Sequence, residues 1–229
     1  MYVAEINHVH YTFEASGSLW QDALVIRDLQ TGSLWSQISG TCISGPMEGT
    51  TLVQYPLHYT TYGVFKKSFP KGQLLKKEFR GKKGSYYDSY FSNVKKLGIL
   101  GRIDTFTRLG AKETVYGIRV KQHEVAVSKI FLTENPLYIY NISDQNILIY
   151  FQSSGETVIA FKLPFSKKLS QEEFQLDDRS IFLSKTNTRW NILTGQVLSG
   201  PGKPLQEVPV ISAFWFAWVT FFPETDLIQ

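Results

Sequence analysis

The sequence predicts a mainly β fold with a few short helices, built from two related β-meander copies that come from an internal duplication. Three observations lead to this prediction. Aromatic residues make up 14% of the chain, short strand-like runs alternate with turn signals, and one long motif occurs twice. Aromatic side chains are favoured in strands and between packed sheets. Hydrophobic residues at 43% and charged residues at 19% are typical of a folded globular chain.

The repeated motif relates residues 31–46 to residues 186–201 at an offset of 155. Its shared pattern is a tryptophan, a glycine five residues later, and a Ser-Gly-Pro turn. The identical pairs are Thr31 and Thr186, Trp35 and Trp190, Gly40 and Gly195, Ser44 and Ser199, Gly45 and Gly200, and Pro46 and Pro201. The match continues at an offset of 153, where Leu52 and Pro56 pair with Leu205 and Pro209. This recurrence predicts two copies of one module.

Strand-like runs precede each motif and fill the centre of the chain. ALVIRD (23–28) and SIFLS (180–184) each end at a turn signal. The central runs are TVYGIRV (114–120), EVAVSKIF (124–131), PLYIYNI (136–142), NILIYFQ (146–152) and TVIAFKL (157–163). Between the last two runs, SSGE is a hairpin signal. After each motif, YGVF (62–65) and WFAW (215–218) space aromatic residues three apart, which favours a short helix.

The repeat predicts three parts of the chain. Residues 1–70 are a first copy that lacks its N-terminal strands, residues 71–113 are a basic connection containing Tyr and Gly, and residues 114–229 are a complete second copy. The counterpart of 114–163 in the first copy would lie before Met1, so the sequence is either truncated or has lost those strands. If they are lost, the first copy exposes a sheet edge, and self-association or a partner strand must cover it.

Charge and cysteine content restrict the classes of partner and site. The net charge is +4, and residues 66–83 alone carry eight basic residues against one acidic residue. We interpret this basic segment as a solvated loop, because it lacks the recognisable element of a nucleic-acid module. Cys42 is the one cysteine, which excludes an intrachain disulfide and a cysteine-ligated zinc site.

Targeting signals are absent from the sequence as it stands. MYVAEINHVHYTFEASG has neither the basic nor the apolar region of a signal peptide. The longest apolar stretch, 208–223, is shorter than the ~20 residues of a spanning helix. We therefore expect a soluble chain without a membrane span. By default it is cytoplasmic, and it is exported if the true N-terminus is missing.

Two groups of residues are candidate binding sites. Trp35, Trp190, Trp215, Trp218 and Tyr62 are candidates for a ligand pocket between the two repeat copies, with core packing as the alternative. His8 and His10 lie two apart on a predicted strand and would share one face, as two ligands of a metal site would. Their alternative is a pair of surface histidines near a frayed terminus.

For two further features we prefer a structural interpretation to a catalytic one. Cys42 faces the apolar Val197 in the repeat, which indicates a small buried thiol rather than a redox centre. Ser44 and Ser199 sit in the two Ser-Gly-Pro segments, which lack the nucleophile elbow and indicate turns. Motifs for phosphate, dinucleotide or metalloprotease chemistry are also missing from the sequence.

The repeated residues carry a family resemblance. Residues 31–52 and 189–225 resemble the two most recognisable segments of an uncharacterised prokaryotic family, the domain of unknown function numbered three-one-seven-nine. RLGAKETVYGI (108–118) resembles its central section, and YYDSYF (86–91) resembles its tyrosine-containing linker. The resemblance implies no activity, because none is established for the family. Its members carry a Cys-Pro-x-Cys-Gly type of segment in the first copy, and the matching place in the second copy here, 150–161, has no cysteine.

The sequence thus identifies no reaction, no catalytic residue and no cofactor. The function that it favours is a non-catalytic binding or structural module, with any ligand between the two repeat copies. The alternative is a thiol- or metal-dependent redox module whose reactive cysteines lie upstream of Met1. An upstream reading frame with two nearby cysteines would favour that alternative, and a stop codon close before Met1 would count against it.

Overall fold

The computed structural model describes residues 1–76, 85–94, 96–98, 108–142, 144–177 and 179–229. The chain forms two compact units. Unit 1 consists of Met1–Tyr55, Leu75–Val115 and Ile211–Thr225, and unit 2 consists of Pro56–Leu74, Tyr116–Val210 and Asp226–Gln229. These units are defined by packing. The predicted boundaries follow the sequence repeat instead, and they stay a prediction.

Strands account for 42% of the structure and helices for 16%, so the predicted mainly β fold with short helices is confirmed. The helices in the described part of the chain are α1 (Tyr62–Ser68), α2 (Ser85–Ser92), α3 (Lys129–Glu134) and α4 (Trp215–Phe221). The strands there are β1 (Glu5–Ile6), β2 (Val9–His10), β3 (Phe13–Trp20), β4 (Ala23–Asp28), β5 (Leu34–Ser36), β6 (Cys42–Ser44), β7 (Thr114–Val120), β8 (His123–Ser128), β9 (Leu137–Ile142), β10 (Gln145–Gln152), β11 (Thr157–Lys162), β12 (Phe174–Leu176), β13 (Ser180–Leu183), β14 (Thr188–Asn191), β15 (Val197–Ser199), β16 (Gln206–Val208), β17 (Val210–Phe214) and β18 (Asp226–Ile228).

Unit 1 contains an antiparallel sheet in the order β3-β4-β5-β6. Its core is a cluster of Trp35, Cys42 and Leu52, and Phe13 packs its ring edge-on against Trp35 at a centroid distance of 5.7 Å. The helix α4 belongs to this unit, and the backbone N–H groups of Trp215 and Phe216 donate to the carbonyls of Glu113 and Ala111. Burial of large aromatic side chains therefore stabilises this unit.

Unit 2 contains two antiparallel sheets, in the orders β16-β11-β10-β9 and β12-β13-β14-β15. The strand β10 is buried on both faces: Leu148 and Tyr150 join one core cluster, while Ile147 and Ile149 join another. A strand covered on both faces reads as a continuous apolar run, which explains the pattern NILIYF. The same unit also contains β8, to which β18 pairs in parallel.

The sheets β4–β6 and β13–β15 share one register at the offset of 155. Ile26 pairs with Trp35 and Trp35 with Cys42, just as Ile181 pairs with Trp190 and Trp190 with Val197. Both sheets shift register at the residue before the tryptophan. At the offset of 153, α1 and α4 have the same length, and each ends where a phenylalanine N–H bonds to the carbonyl four residues earlier.

The structure differs from the predicted elements in two places. The predicted run 124–131 ends as a strand at Ser128, because the Ser128 hydroxyl accepts the N–H of Phe131 and begins α3. The predicted basic connection, for which no regular element was predicted, contains the helix α2, and this helix includes the tyrosine segment. The two short helices predicted from aromatic spacing, α1 and α4, are confirmed.

The basic segment is described only in part. Lys66, Lys67, Lys71 and Lys76 are exposed, as expected of a solvated loop, although Lys66 and Lys67 lie in the last turn of α1. Lys77, Arg80, Lys82 and Lys83 lie outside the described residues. Every helix in the part of the chain that the structure describes is too short or too polar to cross a membrane.

Candidate functional site

A cleft of about 280 Å³ opens on unit 2 between α1 and the ends of β10 and β11. We call it the apolar cleft, because carbon-rich side chains form most of its wall. It is lined by Pro56, Leu57, His58, Thr60, Val64, Phe65, Ser68, Phe69, Gln152, Thr157, Leu193 and Glu207. A concave apolar wall with a few polar groups is the usual form of a small-molecule site.

The helix α1 forms one side of this cleft, and a local hydrogen bond defines each of its two ends. The hydroxyl of Thr61 caps the helix by accepting the N–H of Val64 at 3.4 Å, and the N–H of Phe69 donates to the carbonyl of Phe65 at 2.8 Å. The helix packs against the 3₁₀ turn Ser153–Gly155, which joins β10 to β11. The hairpin signal SSGE therefore forms the predicted hairpin and also supports the cleft.

A polar pair lies in the wall of the apolar cleft. The imidazole Nε2 of His58 and the carboxylate Oε1 of Glu207 are 2.6 Å apart, and both side chains are about three-quarters buried. Because an ionised carboxylate only accepts, Nε2 donates this hydrogen bond. Among the described residues Nδ1 makes no hydrogen bond, so it is the ring atom that remains for a ligand.

Two oxygen atoms in the same wall are buried without a partner among the described residues. They are Oγ1 of Thr60 and Oε1 of Gln152. A buried polar atom without a hydrogen bond costs roughly 1–3 kcal/mol, and such atoms in a folded protein call for an explanation. A ligand or water that donates to them recovers that free energy.

A second cleft of about 530 Å³ adjoins the first and is mostly polar. We call it the polar cleft. The two clefts share Val64, Ser68, Gln152 and Leu193. The other residues that line the polar cleft are Lys67, Pro136, Tyr150, Phe151, Ser153, Ser154, Leu176, Arg179 and Asn191.

The four predicted tryptophans are core residues. Trp35, Trp190, Trp215 and Trp218 are at most 1% exposed, and none lines either of the two clefts. Tyr62 is 59% exposed on α1. Core packing, the alternative interpretation, therefore fits all four tryptophans. A ligand pocket between the repeat copies at these residues stays a prediction.

Three of the four buried indoles have a partner for the N–H group within their own unit. Trp35 Nε1 donates to Asp28 Oδ2 at 2.9 Å, Trp190 Nε1 to the carbonyl of Lys203 at 2.8 Å, and Trp218 Nε1 to Thr225 Oγ1 at 3.1 Å. A tryptophan that is buried for a structural role usually needs an acceptor for its indole N–H group. Trp215 instead has the guanidinium of Arg108 over its ring at 5.3 Å.

The histidine pair at the N-terminus does not share a strand. His8 lies in the turn between β1 and β2 with φ +65°, and His10 lies in β2. The His8 side chain is almost fully exposed, 3.6 Å from Glu5. The described residues contain no group of three or more His, Cys, Asp or Glu side chains suited to a metal ion. The alternation argument for a shared face therefore does not apply, and a metal site here stays a prediction.

Cys42 and the Ser-Gly-Pro segments have the structural roles that we preferred. Burial raises the pKa of the Cys42 thiol, which is 2% exposed in the core of unit 1. A thiol with a raised pKa is a poor nucleophile. Ser44 and Ser199 each end a strand, and the glycine that follows has a positive φ. The predictions of a buried thiol and of a turn at Ser44–Pro46 are confirmed, while the second segment is a bend at Gly200 and Pro201.

The pair of His58 and Glu207 was not among the site residues predicted from the sequence. The two residues are 149 positions apart, and no local motif links them. A signal exists in the repeat alignment, however. The offset of 153 sets Ile211 against His58 and Gln54 against Glu207, so both partners are positions at which the two copies differ in chemistry.

We expect Gly155→Ala to loosen the contact between α1 and the hairpin. A Cβ atom at Gly155 would lie 2.7 Å from Thr157 Oγ1, 2.8 Å from Thr60 Oγ1 and 3.2 Å from Val64 Cγ2. Overpacking of this kind costs about 1–3 kcal/mol, which urea unfolding measures. The matched control is Gly63→Ala in α1, where a Cβ atom meets nothing within 4 Å, and alanine stabilises a helix by up to about 1 kcal/mol. Equal stability of the two variants would contradict this packing.

Comparisons with known proteins identify the family. Searches of curated proteins and of solved structures each found no match. A family model described as "Protein of unknown function (DUF3179)" matches residues 1–225 of the 229 residues. The match covers both copies of the repeated motif and both clefts. The chain belongs to this DUF3179 family.

Proposed function

We propose that this protein is a non-catalytic binding module that holds a small ligand in the apolar cleft of unit 2. The observation that carries the proposal is the combination of an apolar wall with buried, unpartnered oxygen atoms of Thr60 and Gln152. Such a wall binds the apolar body of a ligand, and a few fixed polar groups orient it.

The pair of His58 and Glu207 supports the same proposal. Both side chains are largely buried in the cleft wall, and their hydrogen bond holds the imidazole in one orientation. A held imidazole presents one defined ring nitrogen to a ligand, which gives selectivity without large affinity.

We also infer that the two sheets arose by internal duplication. The shared register at the offset of 155 and the matched helices at 153 support this inference. Duplicated copies retain the residues that their fold requires, so positions that differ in chemistry are candidates for function. Because His58 and Glu207 are such positions, the duplication favours a ligand site in unit 2.

The apolar cleft is tested with the neutral fluorescent probe N-phenyl-naphthylamine. We expect the probe to bind and its fluorescence to rise, because the dye leaves water for an apolar wall. Filling the cleft with Val64→Trp or Leu193→Trp should weaken binding about tenfold or more, equivalent to about 1.4 kcal/mol. Titration of probe fluorescence gives the dissociation constants.

Ile130→Trp is the control, since Ile130 is 62% exposed on α3 and lines neither cleft. It should bind the probe like the unmodified protein. Circular dichroism shows whether each variant retains its fold, and two cleft-filling variants guard against the failure of one. If the folded variants bind the probe as well as Ile130→Trp does, the apolar cleft is not the site.

A further inference from the structure

We propose that the ligand is an amphiphilic organic carboxylate, with its apolar body in the apolar cleft and its carboxylate in the polar cleft. This inference rests on the proposed function and adds the chemical class of the ligand. It depends on the fact that the two clefts adjoin each other and share four lining residues, Val64, Ser68, Gln152 and Leu193. One molecule that spans this line contacts an apolar wall on one side and a polar wall on the other.

The charge of the polar cleft has one sign. Its lining residues include the basic residues Lys67 and Arg179, and none of them is acidic. Among the described residues neither cation forms an ion pair, unlike Arg189, whose guanidinium is paired with Asp177. The carboxylate of Asp177 is near Arg179 but bonds to its backbone N–H and not to its guanidinium. Two basic residues at one concave surface attract an anion.

Neutral donors surround the two cations. The side-chain amide oxygen Oδ1 of Asn191 accepts the N–H groups of Leu193 at 2.9 Å and Thr194 at 3.0 Å. This contact orients the amide, so its NH₂ group is the part that remains for a ligand. Ser153 and Ser154 add two hydroxyl groups to the same wall. Arginine, lysine, amide N–H and hydroxyl donors together match the acceptor oxygens of a carboxylate.

Gln152 lies where the two clefts meet, and its side chain makes no hydrogen bond within the described part of the chain. Its amide can donate to a carboxylate that lies in the polar cleft, or accept from a polar group on the ligand body. The residue therefore marks the boundary at which the ligand changes from apolar to charged.

Octanoate and its uncharged counterpart octanamide test the inference on the full chain by calorimetric titration. We expect octanoate to bind about tenfold more tightly than octanamide at low salt, and this advantage to shrink at high salt. In the double variant Lys67→Gln with Arg179→Gln, octanoate should weaken to the affinity of octanamide, while octanamide is unchanged. Lys66→Gln is the matched control, because Lys66 is exposed on α1 and lines neither cleft.

The outcomes separate this inference from the proposed function. Equal binding of octanoate and octanamide, both blocked by Val64→Trp, would overturn the carboxylate and leave the apolar ligand site. Absence of binding by both, together with failure of the neutral probe, would overturn the site itself. Inorganic sulfate that displaces octanoate but not octanamide supports the anion subsite. If Lys66→Gln weakens octanoate binding as much as the double variant does, the effect comes from the overall charge of the protein, and the inference fails.

Discussion

We expect Gly45→Ala and Gly200→Ala to be among the most destabilising alanine substitutions in the chain. Gly45 has φ +107° and Gly200 has φ +89°, conformations that side chains rarely adopt. A Cβ atom would also lie 2.9 Å from Ser33 Cα at the first position and 2.2 Å from the carbonyl oxygen of Asn187 at the second. Backbone atoms cannot move aside as a flexible side chain can. Strain of about 1–2 kcal/mol adds to overpacking of about 1–3 kcal/mol.

Gly49→Ala separates the two contributions. Gly49 has φ +83°, but a Cβ atom there meets nothing within 4 Å. It should therefore lose only the conformational part, about 1–2 kcal/mol. Urea unfolding followed by tryptophan fluorescence gives the free energy of unfolding of each variant. If Gly45→Ala and Gly49→Ala lose the same stability, the close approach to Ser33 is not what requires glycine.

The two Ser-Gly-Pro turns show which parts of the fold the sequence can predict. A repeated glycine before proline predicts a turn with positive φ, because few other residues adopt that backbone. Strands such as 23–28 are equally readable, since β-branched and apolar residues lie between turn signals. The run 124–131 is different: its apolar residues fit a strand or a helix. Ser128 caps the helix that begins there. The cap forms only when the three residues after Ser128 have helical backbone angles, and the composition of the run does not specify those angles.

The candidate site was harder to predict than the fold. The tryptophans are obvious in sequence, but an abundant aromatic residue is equally suited to a core and to a pocket. Burial and the absence of all four tryptophans from the walls of both clefts separate the two uses. The cleft is assembled from α1, β10 and β16, whose closeness depends on long-range packing. The pair of His58 and Glu207 spans 149 residues, so no local spacing rule reaches it.

The buried carboxylate of Asp28 explains why the turn that contains Gly45 is sensitive to substitution. Asp28 is fully buried, and its oxygens accept hydrogen bonds from the N–H and hydroxyl of Thr31 and from the indole of Trp35. The Thr31 hydroxyl also contacts the hydroxyl of Ser33 at 2.6 Å, and Ser33 is the residue that Gly45 approaches. Burial alone would raise the pKa of Asp28. The hydrogen bonds from Trp35, Thr31 and Ser33 outweigh it and hold the pKa below its usual value near 3.8.

We expect Asp28→Asn to destabilise the protein by about 2–4 kcal/mol at neutral pH, because hydrogen bonds to a charged group contribute about 1.5–3 kcal/mol and the amide NH₂ must face a donor. The sign of the pH dependence follows from the lowered pKa. The carboxylate's contribution is fully present above the unfolded value near 3.8 and is lost as the pH falls through the lower folded value. The difference in unfolding free energy between the two proteins should therefore shrink at strongly acidic pH.

The matched control for Asp28 is Asp144→Asn, in which the carboxylate is exposed and 3.3 Å from Lys121. Because an exposed ion pair is screened by water and salt, this variant should change the stability little at any pH. Urea unfolding from neutral to strongly acidic pH compares the three proteins. A constant difference between Asp28→Asn and the unmodified protein across that range would mean that the amide disturbs packing instead. The role of Asp28 would then be one of shape and not of charge.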